Sequence, residues 1–320
     1  MYNLHLGTKV IGNSFNRYNT IINEYISFDD IKNISITGIT GSGMTYFLKH
    51  LLSQSYKFNA RNIILDGNFQ SYAKNHDNHP EWNINDIDIL DLRYDGKHFI
   101  DLLAPLYHNE SNNNIAKRVT EIISYKSQFG YKMKKYLYDT ILFVLNNNGR
   151  DKDNIYKVID ILKADKNQSS QRVYRRLEYG LKYDYPYFNP KDKENINWIF
   201  DKPGTTVIRF PDHYDSIQID PILISIIFDM IKYGYKDTKI PVIIALDNYY
   251  RYSGDDCKNI IISFLNSLCN NIYIWIAGSE YDSKPIYKYL NPLCFNNNHL
   301  DRGYFEYIHP ITKEYHCIHV

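Results

Sequence analysis

The chain has 320 residues, with 37 lysines and arginines against 36 aspartates and glutamates, a formal net charge of +1. Hydrophobic residues make up 44% and charged residues 23%, which fits a soluble globular protein and excludes a disordered or fibrous one. The length allows one large domain or two small ones, and the balanced charge means that any nucleic-acid site must be local.

In chain order, LHLGTKV and TIINEYISF within the first thirty residues alternate as strands of a small hairpin or edge sheet. Asn33–Gly38 (NISITG) is a short β-branched run that ends in a glycine-rich turn. MTYFLKHLLSQSY then has helical spacing, with Met44, Phe47, Leu48, Leu51 and Leu52 on one face. NIILD ends at Asp66, and DIDILDL ends near Leu92. Strands separated by helices predict a parallel α/β sheet. From about Ala104 to Phe200 the texture changes. NIAKRVTEIISYKSQF, KKYLYDTILFVL, NIYKVIDILKAD and SQRVYRRLEYGLKY all have helical periodicity, with no β-rich run between them. The α/β pattern returns with the strand TTVIRF and the helix DPILISIIFDMIKYG, which carries Pro221 near its first turn. PVIIALD is a buried strand ending at Asp247, CKNIIISFLNSLCN a helix and NIYIWIAG a strand. GYFEYIHPITKEYHCIHV reads as a final hairpin with Pro310 near its turn.

The informative stretch is Gly38-Ile39-Thr40-Gly41-Ser42-Gly43-Met44-Thr45, with the spacing G-x-x-x-x-G-x-[ST]. It follows a strand directly and opens a helix, the context of a phosphate-binding P-loop. Glycines let successive backbone N–H groups turn inward as an anion nest, and the helix N-terminus adds its positive dipole end. The Thr45 hydroxyl is placed to ligate Mg²⁺ beside the phosphates. The lysine position of the motif holds Met44. A glycine-rich strand-to-helix turn without any ligand has the same spacing.

The partner is PVIIALDNYY, Pro241–Tyr250, an apolar strand ending in an acid as in a Walker B motif. Asp247 would hold Mg²⁺ through its water shell. The next residue is usually a glutamate that polarises the attacking water. Here it is Asn248, whose amide cannot take a proton. A buried core strand that merely ends in aspartate is the plainer reading of the same residues.

With these residues in place the sequence resembles the HerA/FtsK superfamily of P-loop motors. GITGSGMTYFLKHLL resembles the family's phosphate loop and helix. RNIILDGNFQSYAK, Arg61–Lys74, is similar to its second strand and the acidic-aromatic turn that follows. TTVIRFPDHYDSIQIDPILISIIFDMIKYG followed by VIIALDN resembles its long helix and Walker B strand, and NIYIWIAGSEYDS the strand after that. The nearest branches are the conjugative type IV secretion ATPases and their HerA-like relatives, then degenerate ATPase domains of type VII secretion. The resemblance implies ATP and Mg²⁺ as cofactors, Asp66 beside the nucleotide pocket, and Ser279 and Glu280 where the family places a glutamine sensor. It also implies a homo- or hetero-oligomeric ring that moves DNA or protein within a secretion or conjugation complex. An arginine of one subunit would face its neighbour's nucleotide, with Arg172, Arg175, Arg176, Arg209 and Arg251 as candidates. QRVYRRLEYG reads equally as a solvated helix face.

The expected fold is α/β: a P-loop NTPase-like sheet flanked by helices, with a mainly helical insertion and a short N-terminal β piece. Residues 1–320 form one domain: a β segment at 1–32, the P-loop half of the core at 33–104, the insertion at 105–200, and the Walker B half with the C-terminal hairpin at 201–320. The expected function is a degenerate translocation subunit with weak nucleotide and Mg²⁺ binding and little or no hydrolysis. An active ATPase with a displaced cation and a scaffold that binds no nucleotide are the alternatives. Lys49 could supply that cation, but it lies a turn or more into the helix and is expected to point away.

Other signals carry less. Cys257, Cys269, Cys294 and Cys317 show no C-x-x-C spacing, which argues against a disulfide framework or a cysteine-rich zinc site. His309, His316, His319 and Cys317 have poor ligand spacing, since His316 and Cys317 would point to opposite faces of a strand. The basic patch Lys132–Lys135 (KMKK) is common on surface helices, and Tyr249, Tyr250 and Tyr252 read as packing in a tyrosine-rich chain. The N-terminus lacks the order of a signal peptide, and no apolar run approaches ~18 residues. The expectation is a cytoplasmic protein with no membrane-spanning segment.

Overall fold

The computed structural model describes residues 3–11, 20–27, 33–38, 43–66, 72, 87–107, 109–149, 154–196, 204–211, 220–236, 238–248, 252, 254–268, 271–279, 290–295, 304–308 and 315–319. The chain divides into two compact units. One comprises Met1–Ile89, Pro203–Phe228 and Tyr235–Val320, the other Leu90–Lys202 and Asp229–Gly234.

The first unit is built on a sheet. Its strands are β1 (Asn3–Ile11), β2 (Thr20–Ser27), β3 (Ile34–Gly38), β4 (Arg61–Asp66), β5 (Ile87–Asp91, which runs into the second unit), β8 (Thr205–Arg209), β9 (Val242–Asp247), β10 (Ile272–Ser279), β11 (Asn291–Phe295), β12 (Tyr304–Ile308) and β13 (Tyr315–His319). Their order is β2-β1-β13-β12-β11-β3-β10-β9-β4-β8-β5. The run from β11 through β3, β10, β9 and β4 to β8 is parallel. The pairs β1–β2, β1–β13, β12–β13 and β11–β12 are antiparallel. The terminal hairpins thus extend the parallel sheet as one continuous antiparallel wing. Strands β3, β4 and β9 are buried at every position, as a parallel strand covered on both faces must be, which explains their unbroken Ile, Val and Leu runs.

Helix α1 (Met44–Lys57) buries Phe47, Leu48, Leu51 and Leu52 in a core with Ile34, Ile36, Ile64 and Trp275. Its C-terminal end is tied to β4. Ser55 Oγ donates to Asn62 Oδ1 at 2.9 Å, and Asn62 Nδ2 donates to the Leu52 carbonyl at 3.1 Å. Helices α6 (Pro221–Gly234) and α7 (Asp255–Asn266) precede and follow β9 in the chain. The first eight residues of α6 belong to the sheet unit and the last six to the other.

The second unit is helical, as its periodicity predicts, but starts earlier than residue 105. It holds α2 (Asn112–Ser127), α3 (Tyr131–Asn148), α4 (Asn154–Ala164) and α5 (Gln168–Tyr179). Val119, Leu137, Ile141, Val144, Val158 and Leu177 are wholly buried and form its own apolar centre. Ser111 caps α2, and Asn167 caps α5 through side-chain oxygens that accept from the Asn114 and Ser169 amides. Buried Glu110 accepts from Arg118 and from the Leu106 amide. After α5 the chain makes a π-turn, in which the Tyr185 amide donates to the Gly180 carbonyl at 2.8 Å. One expectation fails in detail: β6 (His98–Phe99) and β7 (Glu194–Asn195) pair in parallel, so two strand residues lie inside the insertion. Two residues carry no periodicity to read.

Charge is divided between the units. The helical one holds 21 lysines and arginines against 16 aspartates and glutamates, a net +5. The sheet unit holds the remaining 16 against 20, a net −4. Among the described residues no helix is long and apolar enough to cross a membrane.

Candidate nucleotide site

The candidate site lies where β3, β4 and β9 end. Parallel register places Asp66 beside Asp247, Arg209 beside Asp66, and Gly38 beside Ser279. The hydrophobic run of each strand therefore ends its side chains at one edge of the sheet, where ligands of open α/β folds bind.

Gly43 precedes α1 with φ +100°, a left-handed conformation that a side chain rarely adopts, although a Cβ there would meet nothing. The helix starts with no side-chain cap and no acidic residue in its first turn, so its leading N–H groups have no side-chain acceptor among the described residues. Thr45, in that turn, donates its hydroxyl to both carboxylate oxygens of Asp247 at 3.2 Å each. Asp247 is wholly buried. Burial, then the charge of Asp66, pushes its carboxyl up to about 6, against hydrogen bonds from the Asn248 amide, Tyr72 and Thr45. The Asn248 amide donates to Asp247 Oδ1 at 2.9 Å. Asn248 has φ +56°, a conformation asparagine accepts better than glutamate, and its side-chain nitrogen is buried with no acceptor among the described residues.

The structure thus joins Thr45, Asp66, Asp247 and Asn248, with Gly38 and Gly43 framing them. Met44 is half-buried and packs against the apolar core around Phe47. Thr40, Gly41, Ser42 and Glu280 lie outside the described residues, as do Arg251, Tyr249 and Tyr250. Ser279 is described by its backbone alone. Tyr252 is buried and donates to the Leu65 carbonyl at 2.9 Å, the packing role expected of it.

Two residues at the site escape the motif pattern. Tyr72 is buried, and its hydroxyl favours the charged form of the Asp247 carboxyl. Lys49, expected to point away, is buried with its Nζ 4.9 Å from the Tyr72 ring centre. It is therefore one side chain removed from Asp247. The i, i+4 spacing from Thr45 to Lys49 holds that signal, because it sets both on one helix face.

These residues fit the groups the motif implies. Two carboxylates side by side in a buried setting, with a hydroxyl on one of them, form a hard-oxygen donor set suited to Mg²⁺. An uncapped helix start and an orphaned amide nitrogen suit phosphate oxygens.

No family model matches the chain, and no curated protein matches it. Solved structures do. VirB4 of Thermoanaerobacter pseudethanolicus superposes with a TM-score of 0.65 at 14% identity, covering 99% of this chain and 96% of that one. The bacterial conjugative coupling protein TrwB, in complex with sulphate, gives 0.52 at 11% identity, covering 90% and 78%. TrwB in complex with ADP and Mg²⁺ gives 0.51 at 11%, covering 91% and 78%. Identities this low establish the fold alone: the chain has a P-loop NTPase-type fold like that of VirB4 and TrwB, a parallel sheet flanked by helices.

Proposed function

We propose that this protein is a HerA/FtsK-like subunit of a DNA- or protein-translocating ring, acting on the cytoplasmic side of a secretion or conjugation complex, with weak nucleotide and Mg²⁺ binding and little or no hydrolysis. The Thr45–Asp247 contact carries the binding half of this reading, since it is the pairing a Mg²⁺-nucleotide site requires. The packing of Met44 on the core carries the other half. A thioether offers no charge to oxygens that gain it in the transition state, a loss of several kcal/mol. Asn248 cannot serve as a base, a loss of about 10²–10⁴ in rate. TrwB has been captured with ADP and Mg²⁺, and that precedent supports the same cofactors here.

The test pairs calorimetry of ATP with and without Mg²⁺ against steady-state phosphate release. Weak Mg²⁺-dependent binding, lost in Thr45→Ala/Asp247→Ala, without turnover is the expected result. Turnover abolished by that double change would overturn the degenerate reading.

The buried position of Lys49 beside Tyr72 supports a second reading, an active ATPase with a displaced cation. Under it, Lys49→Met removes turnover while wild type shows it.

A further inference from the structure

Helix α5 of the helical unit carries a charge pattern that the nucleotide site does not use. Arg172, Arg175, Arg176 and Tyr179 recur at i, i+3, i+4 and i+7, which sets them on one face. Ser170, Val173 and Leu177 occupy the buried face. The three arginines are exposed. With Ser127 and Gln128 at the end of α2 and Met133 of α3, they line a cleft of about 590 Å³. Among the described residues none of the three guanidinium groups forms an ion pair or a hydrogen bond. Three like charges on one helical turn repel one another, so an ordinary surface would compensate them. Glu178, three residues after Arg175, is placed to compensate it, but no ion pair between the two is present among the described residues.

We propose that this cleft is a second nucleotide-binding site, in which the guanidinium forks take phosphate and the Tyr179 ring takes the face of a base. Guanidinium groups match phosphate oxygens two at a time and are weakly hydrated, so they release water readily to such a ligand. Tyr179 is 54% exposed, which leaves ring surface for stacking, and Tyr183 lies against it with ring centres 4.8 Å apart. Met133 adds an apolar wall, and Ser127 and Gln128 supply hydroxyl and amide groups for a sugar or base edge. The volume falls within the range of small-ligand pockets, about 300–1,000 Å³. The net +5 of the unit raises the local concentration of any such anion. A free nucleotide and one unit of a single strand present the same chemistry of recognition to the cleft. This inference rests on the helical unit alone and does not depend on the Thr45–Asp247 reading.

The experiment measures binding by the intact protein at low salt in EDTA, where the Mg²⁺-dependent site is silent. The probes are fluorescent ATP, inorganic tripolyphosphate and a labelled oligothymidylate of about 15 nucleotides, long enough to follow a binding groove. Arg172→Ala/Arg175→Ala/Arg176→Ala is expected to weaken the nucleotide probe about tenfold or more through loss of charge-assisted bonds. Tyr179→Ala is expected to weaken it while Tyr179→Phe is not. Exposed Lys166→Ala/Lys191→Ala serves as the charge control and leaves binding intact. If a strand is the source, the oligomer binds more tightly than ATP, and the arginine variant lowers its salt slope by about 2. If free nucleotide is the source, ATP binds and the oligomer does not displace it. Three outcomes overturn the proposal: no nucleotide probe binds, binding survives the triple change in a protein of unaltered helicity, or tripolyphosphate binds equally and Tyr179→Ala changes nothing. Mg²⁺-dependent ATP binding in the triple variant reports separately on the other site.

Discussion

Asp247 occupies a costly place for a carboxylate, wholly buried and beside Asp66. With its pKa raised from 3.8 to about 6, the folded protein holds a proton there more tightly than the unfolded chain does. The stabilisation from that proton is complete below about pH 4 and is lost as pH rises through about 6, an effect of up to about 3 kcal/mol. Asp247→Asn keeps an oxygen for the Thr45 hydroxyl and removes the buried charge. Its melting temperature at pH 7.5 should exceed that of wild type, and the gap should close towards pH 4. Mg²⁺ should stabilise wild type at pH 7.5 and leave Asp247→Asn unmoved. Equal melting of the two proteins at both pH values would remove the strained-carboxylate account.

At the scale of elements, what could be read from sequence followed the strength of local patterning. β3, β4 and β9 were legible because burial on both faces demands unbroken β-branched runs, and α1 because its apolar residues recur on one face. Gly43, Thr45 and Asp247 were legible because a phosphate loop imposes fixed spacing. Tyr72 was not, since its influence on Asp247 depends on tertiary placement and not on local periodicity. Neither was the union of the terminal hairpins into one wing, because β1 pairs with β13 across nearly the whole chain. The π-turn after α5 was equally silent, although its glycine has a clear cause. A Cβ on Gly180 would collide with the Tyr185 hydroxyl and ring. Tyr185 is buried, which pushes its phenol up to about 12, so the ring cannot swing into water without loss of packing. Gly180→Ala should therefore destabilise the protein by about 1–3 kcal/mol in chemical denaturation. A neutral result would mean that the turn relaxes without cost.

For the whole molecule, the helical unit has a buried centre of its own, while α6 gives eight residues to one unit and six to the other. A helix is cooperative along its length, so breaking either half removes hydrogen bonds from its neighbour. We propose that residues 1–320 behave as one domain. Scanning calorimetry should then show a single transition whose calorimetric and van't Hoff enthalpies agree. Two resolved transitions would make the helical unit an independent domain.

The opposite net charges of the two units, +5 and −4, bear on how copies of this protein meet. A chain that is almost neutral in sum lacks the mutual repulsion that keeps molecules apart, and each copy offers a surplus that the other sign on its neighbour can satisfy. Dilute buffers should therefore promote clouding, and ordinary salt should clear it, the reverse of salting-out. Shortening the Debye length from about 30 Å at 0.01 M to about 10 Å at 0.1 M ionic strength quenches such attraction. Static light scattering across that range should give a negative second virial coefficient that rises with salt. A coefficient that is positive in dilute buffer and falls as salt is added would show that the divided charge leaves the molecules indifferent to one another.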